Sequence, residues 1–198
     1  MNESPAVLSF YRSGPSQAAR VRLLLIQQKQ DDFRAIHRDC CENALIAQQW
    51  YCETGRWSQA LDLAEALADA LHANGYWLQA ETCARNGVSA ATALQNRCAM
   101  SRWRIYAGLV QAEMGNDARA KPEYRAGLEI AESIGDVGLQ AEAWRRLGWL
   151  AQSRGDRQDA ETCYRRSIDL CHTAGDTQGQ GRGWRQLATL AEQVGDLE

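Results

Sequence analysis

The sequence predicts an all-α solenoid of antiparallel helix pairs, on three observations. Glycines stand at 55, 75, 115, 135, 155, 175 and 195, a comb with a spacing of twenty that only Gln95 interrupts. Amphipathic segments run between the teeth. Trp144, Leu147, Gly148 and Ala151 share one helical face, and Ala160, Tyr164, Ser167 and Leu170 repeat that spacing beyond the Gly155-Asp156 turn. Stretches of sequence also recur: a shift of eighty lays Ala80-Glu81-Thr82-Cys83 on Ala160-Glu161-Thr162-Cys163, and a shift of forty lays Trp144 and Leu147 on Trp184 and Leu187. Repetition at such a period is the mark of stacked helix pairs, each covering the apolar face of the next.

Taken in order, residues 1–15 form an N-terminal segment with Val7, Leu8, Phe10 and Tyr11 as its apolar content. Ser13-Gly14-Pro15-Ser16 then breaks the chain and offers a helix start. Residues 16–55 read as a helical cap or degenerate repeat. One helix spans about 17–30, and a second spans about 36–54, burying Cys40, Ala44, Ala47 and either Trp50 or Tyr51. Repeats follow at 56–95, 96–135 and 136–175, with an incomplete one at 176–198. At each tooth of the comb, Gly supplies the left-handed residue that ends a helix. The Asp that follows at 136, 156, 176 and 196 is placed to cap the next helix. The chain stops at Asp196-Leu197-Glu198, where the partner helix of the fourth pair is due. The reading favours a native chain that continues beyond this point; the alternative is a bare face that pairs with a second copy.

The unit Trp144-x2-Leu147-Gly148, Gly155, Ala160-x3-Tyr164 resembles the tetratricopeptide repeat. Arg104, Ala107, Gly108, Gly115, Ala120 and Tyr124 form a looser copy, and Ala64, Leu67, Ala68, Gly75, Ala80 and Ala84 a degenerate one. Trp184, Leu187, Ala188 and Gly195 begin a fourth. The resemblance implies a right-handed α-α superhelix with repeats of about forty residues, longer than the usual 34. A second resemblance rests on Asp39-x2-Glu42-Asn43-Ala44-Leu45, Trp50, Gly55-Arg56-Trp57, Ala60-Leu61 and Gly75-Tyr76-Trp77. This region is similar to the helices that follow the nucleotide-binding module of bacterial signal-transduction ATPases with numerous domains. It implies the sensor fragment of a larger cytoplasmic signalling protein, acting in signal transduction.

Charge and motifs narrow the functional classes. The formal net charge of −3 gives no general attraction to nucleic acid or anionic membrane. No apolar run reaches the length of a membrane span, and the N-terminus lacks a basic-then-apolar leader, so the chain is expected in the cytoplasm. The seven cysteines include no C-x-x-C pair, and Cys83 and Cys163 share one repeat position on a buried face. A bridge between Cys40 and Cys41 is not expected, because consecutive helical residues diverge by about 100°. Phosphate-loop, zinc-helix and serine-hydrolase motifs are all missing, and His37, His72 and His172 lie in different repeats. No metal, cofactor or catalytic role is therefore expected. Arg154-Gly155-Asp156 spells an adhesion tripeptide, but its Gly and Asp are occupied by turn and cap chemistry.

What remains is a binding surface. The family resemblance implies that the first helix of each pair lines a concave groove. The positions to inspect are Asp62, Glu65, Asp69 and His72 in the first repeat, then Arg102, Ile105, Leu109 and Ala112. The third repeat offers Glu142, Arg145, Trp149 and Gln152, and the fourth Arg182, Arg185, Thr189 and Glu192. Arginines suit bidentate capture of carboxylates, and Trp149 offers a stacking plane, because Trp144 already serves the core. The acidic and arginine-rich ends are expected to face one trough. The expected partner is a protein or peptide. A small anionic ligand, or a second copy docking on the exposed C-terminal repeat face, are the alternatives; nucleic acid and membrane are not expected.

Overall fold

The computed structural model describes residues 33–195, and the fold is all-α. Eight helices follow one another among the described residues: α1 Phe33–Glu53, α2 Trp57–Ala73, α3 Trp77–Ala93, α4 Arg97–Glu113, α5 Asp117–Ile134, α6 Val137–Ser153, α7 Arg157–Thr173 and α8 Thr177–Gly195. They divide into two compact units, one ending at Asn96 and the other starting at Arg97. The segment 1–15, the helix expected at 17–30 and the cap expected from Asp196 lie outside the described residues.

In the first unit α1 packs on both α2 and α3. The sequence places Leu61, Leu63, Leu67 and Leu71 on the buried side of α2, whereas α3 buries Ala80, Cys83, Ala84, Gly87, Ala90 and Ala91. Long side chains on one helix thus meet a flat, small-residue face on the other, which lets the axes close. The buried stripe of α1 is Cys41, Ala44, Leu45, Ala47 and Gln48. This corrects the expected stripe, because Cys40, Trp50 and Tyr51 are only half-buried. The helix is rotated so that Gln48 points inward, donating from Nε2 to the Cys83 carbonyl at 3.3 Å and accepting from Asn86 Nδ2 at 3.3 Å. The Cys83 thiol donates in turn to the Ala64 carbonyl at 3.7 Å. Burial pushes that thiol up to about 12, so it stays protonated and able to donate.

In the second unit α4, α6 and α8 form one layer and α5 and α7 the other, each helix packing on its sequence neighbours. The core gathers Ile105, Leu109, Tyr124, Leu128, Leu147 and Leu150 around Ala112, Ala120 and Ala143. A smaller cluster joins Ala160, Tyr164 and Leu190. Trp144, expected to fill the core, is only half-buried at its edge, with the Arg166 guanidinium 4.5 Å from its ring centre. All seven cysteines are free thiols.

The comb sets the turns. The glycines at 55, 75, 115, 135, 155 and 175 all take positive φ, from +67° to +79°. Gln95, the gap in the comb, does the same with φ 53°. Its turn is held by the bonds the glycine turns use, Gln95 N–H to Thr92 O and Asn96 N–H to Ala91 O, both at 3.0 Å. A side chain in that conformation costs about 1 kcal/mol. The expected aspartate caps divide. Asp136 accepts from Leu139 N–H at 3.0 Å and Asp176 from Gly179 N–H at 2.8 Å, whereas the Asp156 side chain caps nothing.

Candidate binding surface

On α2, Asp62, Glu65 and Asp69 follow one another at i, i+3 and i+7, all exposed, on the face opposite Leu63, Leu67 and Leu71. His72 is also exposed, edge-on to the Trp77 ring at 5.5 Å. These residues belong to the first unit. The other predicted site residues lie in the second, on the layer of α4, α6 and α8.

That layer places Arg102, Glu142 and Arg182 at one register, each forty residues from the next. Their surroundings differ. Arg102 is exposed on α4, its Nη2 3.8 Å from Cys98 Sγ. On α6, Glu142 is gripped by two arginines. Arg145 donates from Nε to Oε2 at 3.0 Å and from Nη2 to the same oxygen at 2.7 Å, and Arg146 donates from Nε to Oε1 at 2.7 Å. Burial alone would raise the carboxyl pKa, but the Arg146 and Arg145 guanidiniums outweigh it and hold Glu142 below its ordinary value. The triad is a finished internal ion cluster of net charge +1. Arg145, read from the sequence as a ligand-capturing arginine, has its fork occupied within the protein, with only 17 % of its side chain exposed.

The rest of α6 is engaged as well. Gln152 accepts the Tyr164 hydroxyl proton at 2.7 Å. Trp149 is half-buried, packed against the core of α4, α5 and α6. Its second-tryptophan position is thus explained by packing between helices rather than by a free stacking plane. On α8, Arg182 lies 3.7 Å from Asp176, and Arg185 is exposed with no side-chain partner among the described residues. Trp184, between them in sequence, is 56 % exposed.

Sequence reasoning passed over Arg146 as a partner of Glu142, although the i, i+4 spacing of the two was visible. Which of Arg145 and Arg185 would be free was not read from the sequence either. The difference lies at position 182 against 142: arginine precedes Arg185 where glutamate precedes Arg145.

Residues 141–174 match the tetratricopeptide repeat. The match runs from the second turn of α6 to the residue that closes α7. No curated protein matches the chain. Tetratricopeptide repeats generally mediate protein–protein interaction. No helix among the described residues is long and apolar enough to cross a membrane, and no group of His, Cys, Asp and Glu among them is placed to hold a metal ion.

Proposed function

We propose that the chain is a protein- or peptide-binding repeat module, the sensor or scaffold fragment of a larger signalling protein. It takes its partner on the exposed face of the first helices. The carrying observation is α8, where Arg185 is exposed without a partner and Arg182 is held only loosely, in contrast to the occupied arginines of α6. Exposed guanidiniums at this spacing suit the carboxylates of an acidic peptide segment. Arg102 extends the same register on α4, and Glu142, Gln152 and Trp149 act as the rigid bed beneath. Asp62, Glu65 and Asp69 give α2 a separate acidic face suited to basic residues. The reading is tested by selecting binders from a random peptide library. Acidic peptides should be enriched, and Arg182→Gln with Arg185→Gln should weaken them about tenfold. Enrichment without acidic character, or affinity indifferent to both substitutions, would overturn it.

Self-association is a second reading, favoured by one observation. The exposed Trp184 borders a groove of about 340 Å3 with Leu187, Ala188, Leu190 and Ala191. A second copy seated there would bury the indole. Light scattering decides it: a dimer that Trp184→Glu converts to a monomer supports this reading, and a monomeric parent chain removes it.

A further inference from the structure

In the second unit, α5, α6 and α7 line a cleft of about 300 Å3 to which none of the predicted site residues contributes. Its floor is apolar, formed by Leu128, Trp144, Leu147 and Leu150. Four cations, Lys121, Arg125, Arg154 and Arg166, share its rim with two carboxylates, Asp156 and Asp159. Arg154 is already paired with Asp117 at 3.2 Å. Arg166 lies over the Trp144 ring, and neither it, Lys121 nor Arg125 has a carboxylate partner among the described residues. Three unpaired cations against two carboxylates leave a surplus of one positive charge above a greasy floor.

The cationic groups converge rather than scatter. Lys121 and Arg125 are one turn apart on α5. Lys121 from α5 and Arg166 from α7 both act on the Cys163 thiol, opposing its burial and the nearby Asp159, which together raise it. The thiol is therefore protonated and contributes no nucleophile. The preceding helix pair lacks this arrangement. The position of Trp144 is taken there by Arg104, which is closed onto Glu123 at 2.9 Å.

The geometry points to a second ligand site, in which this cleft holds a small organic monocarboxylate with an aromatic or aliphatic body. The apolar part would rest on Trp144 and the leucines, and the carboxylate would meet Lys121 and Arg125, with Arg166 above the indole. The volume sits at the small-molecule end of protein pockets, about 300–1,000 Å3. The single surplus charge suits a monoanion better than a phosphate dianion. This site is independent of the surface formed by α4 and α8, and neither set of variants tests the other.

The test uses the whole chain and 2-naphthoate as probe, with uncharged 2-naphthalenemethanol for comparison. Titration followed by the indole N–H resonance of Trp144, assigned by its loss in Trp144→Phe, should show saturable 1:1 binding of the carboxylate. The alcohol should bind about tenfold more weakly, as should 2-naphthoate to the Lys121→Gln, Arg125→Gln double variant. Arg119→Gln, on the same helix but outside the cleft, should leave the affinity unchanged. Equal affinity for acid and alcohol, an unaffected double variant, or no saturation would each overturn the proposal. Both glutamines replace half-buried or exposed side chains, and an unchanged far-ultraviolet spectrum confirms that the fold is retained.

Discussion

The pair α4/α5 and the pair α6/α7 share a skeleton and differ in almost every polar detail. In each, a tyrosine ring lies on a glycine of the facing helix, Tyr124 on Gly108 and Tyr164 on Gly148. A buried serine ties each pair together at 2.8 Å, but from opposite sides. Ser101 on α4 donates to the Gly127 carbonyl of α5, whereas Ser167 on α7 donates to the Ala141 carbonyl of α6. The two sites are related by the forty-residue shift with donor and small residue exchanged. Arg102, Ile105 and Tyr106 of α4 become Glu142, Arg145 and Arg146 on α6. The lesson is that close approach is fixed by small residues under a ring, while most of the polar groups around it differ between the two pairs.

The largest effects should come from the shared skeleton. A Cβ at Gly108 would stand 2.6 Å from the Tyr124 ring and 3.1 Å from the Ala120 carbonyl, which is backbone and cannot swing away. At Gly148 it would stand 2.7 Å from the Tyr164 ring and 3.2 Å from the Cys163 side chain. Gly108→Ala should therefore cost about 3 kcal/mol and Gly148→Ala about 2 kcal/mol, as overpacking of a tight core does. Urea midpoints would measure both. A neutral result at either position would break the claim that the glycines set the helix spacing.

How far this was legible in sequence follows the same division. The comb of glycines and the Ala160-x3-Tyr164 pattern predicted helix and turn, because backbone sterics and periodicity are local. The turn at Gln95 was not legible as such: a glutamine takes the left-handed conformation that glycine takes at the other teeth. The rotation of α1 was missed because Gln48, polar and unpromising as a core residue, is satisfied by Cys83 and Asn86 on another helix. For the binding surface, the residue types were visible and their availability was not. Arg145 and Arg185 occupy equivalent positions, and only the carboxylate at 142 decides that one is occupied. The cleft beside Trp144 escaped because its lining comes from three helices whose proximity no single segment announces.

The two-arginine cluster around Glu142 on α6 has no counterpart on α4, and its acid sensitivity can be tested by itself. Glu142 has a folded pKa below its ordinary value. Its contribution to stability is therefore full above the ordinary carboxyl pKa and is lost as pH falls through the depressed one. Glu142→Gln should cost about 2 kcal/mol near neutrality, between the values typical of exposed and buried pairs. The difference from the parent chain should shrink on acidification toward pH ~3. Urea unfolding at the two pH values measures it, and a cost independent of pH would show that the two arginines are held by something other than this carboxylate.

The smallest and sharpest contrast lies in the two tyrosine hydroxyls. Tyr164 donates to Gln152 Oε1 at 2.7 Å, but the position of Gln152 is Ala112 in the preceding pair. The buried Tyr124 hydroxyl accordingly has no hydrogen-bond partner among the described residues. Both rings resist ionisation through burial, Tyr164 up to about 12 and Tyr124 higher still, so each acts only as a neutral donor. Tyr164→Phe removes a short hydrogen bond to the half-buried Gln152, which should cost about 1 kcal/mol. Tyr124→Phe removes only a desolvated hydroxyl and should be neutral or slightly stabilising. A double-mutant cycle settles the cause. In a Gln152→Ala background, Tyr164→Phe should behave like Tyr124→Phe, because the substitution has turned the second pair into a copy of the first at that position. Equal costs for the two phenylalanine variants in the parent chain would mean that Tyr124 also has a partner, and the contrast between the pairs would be lost at this site.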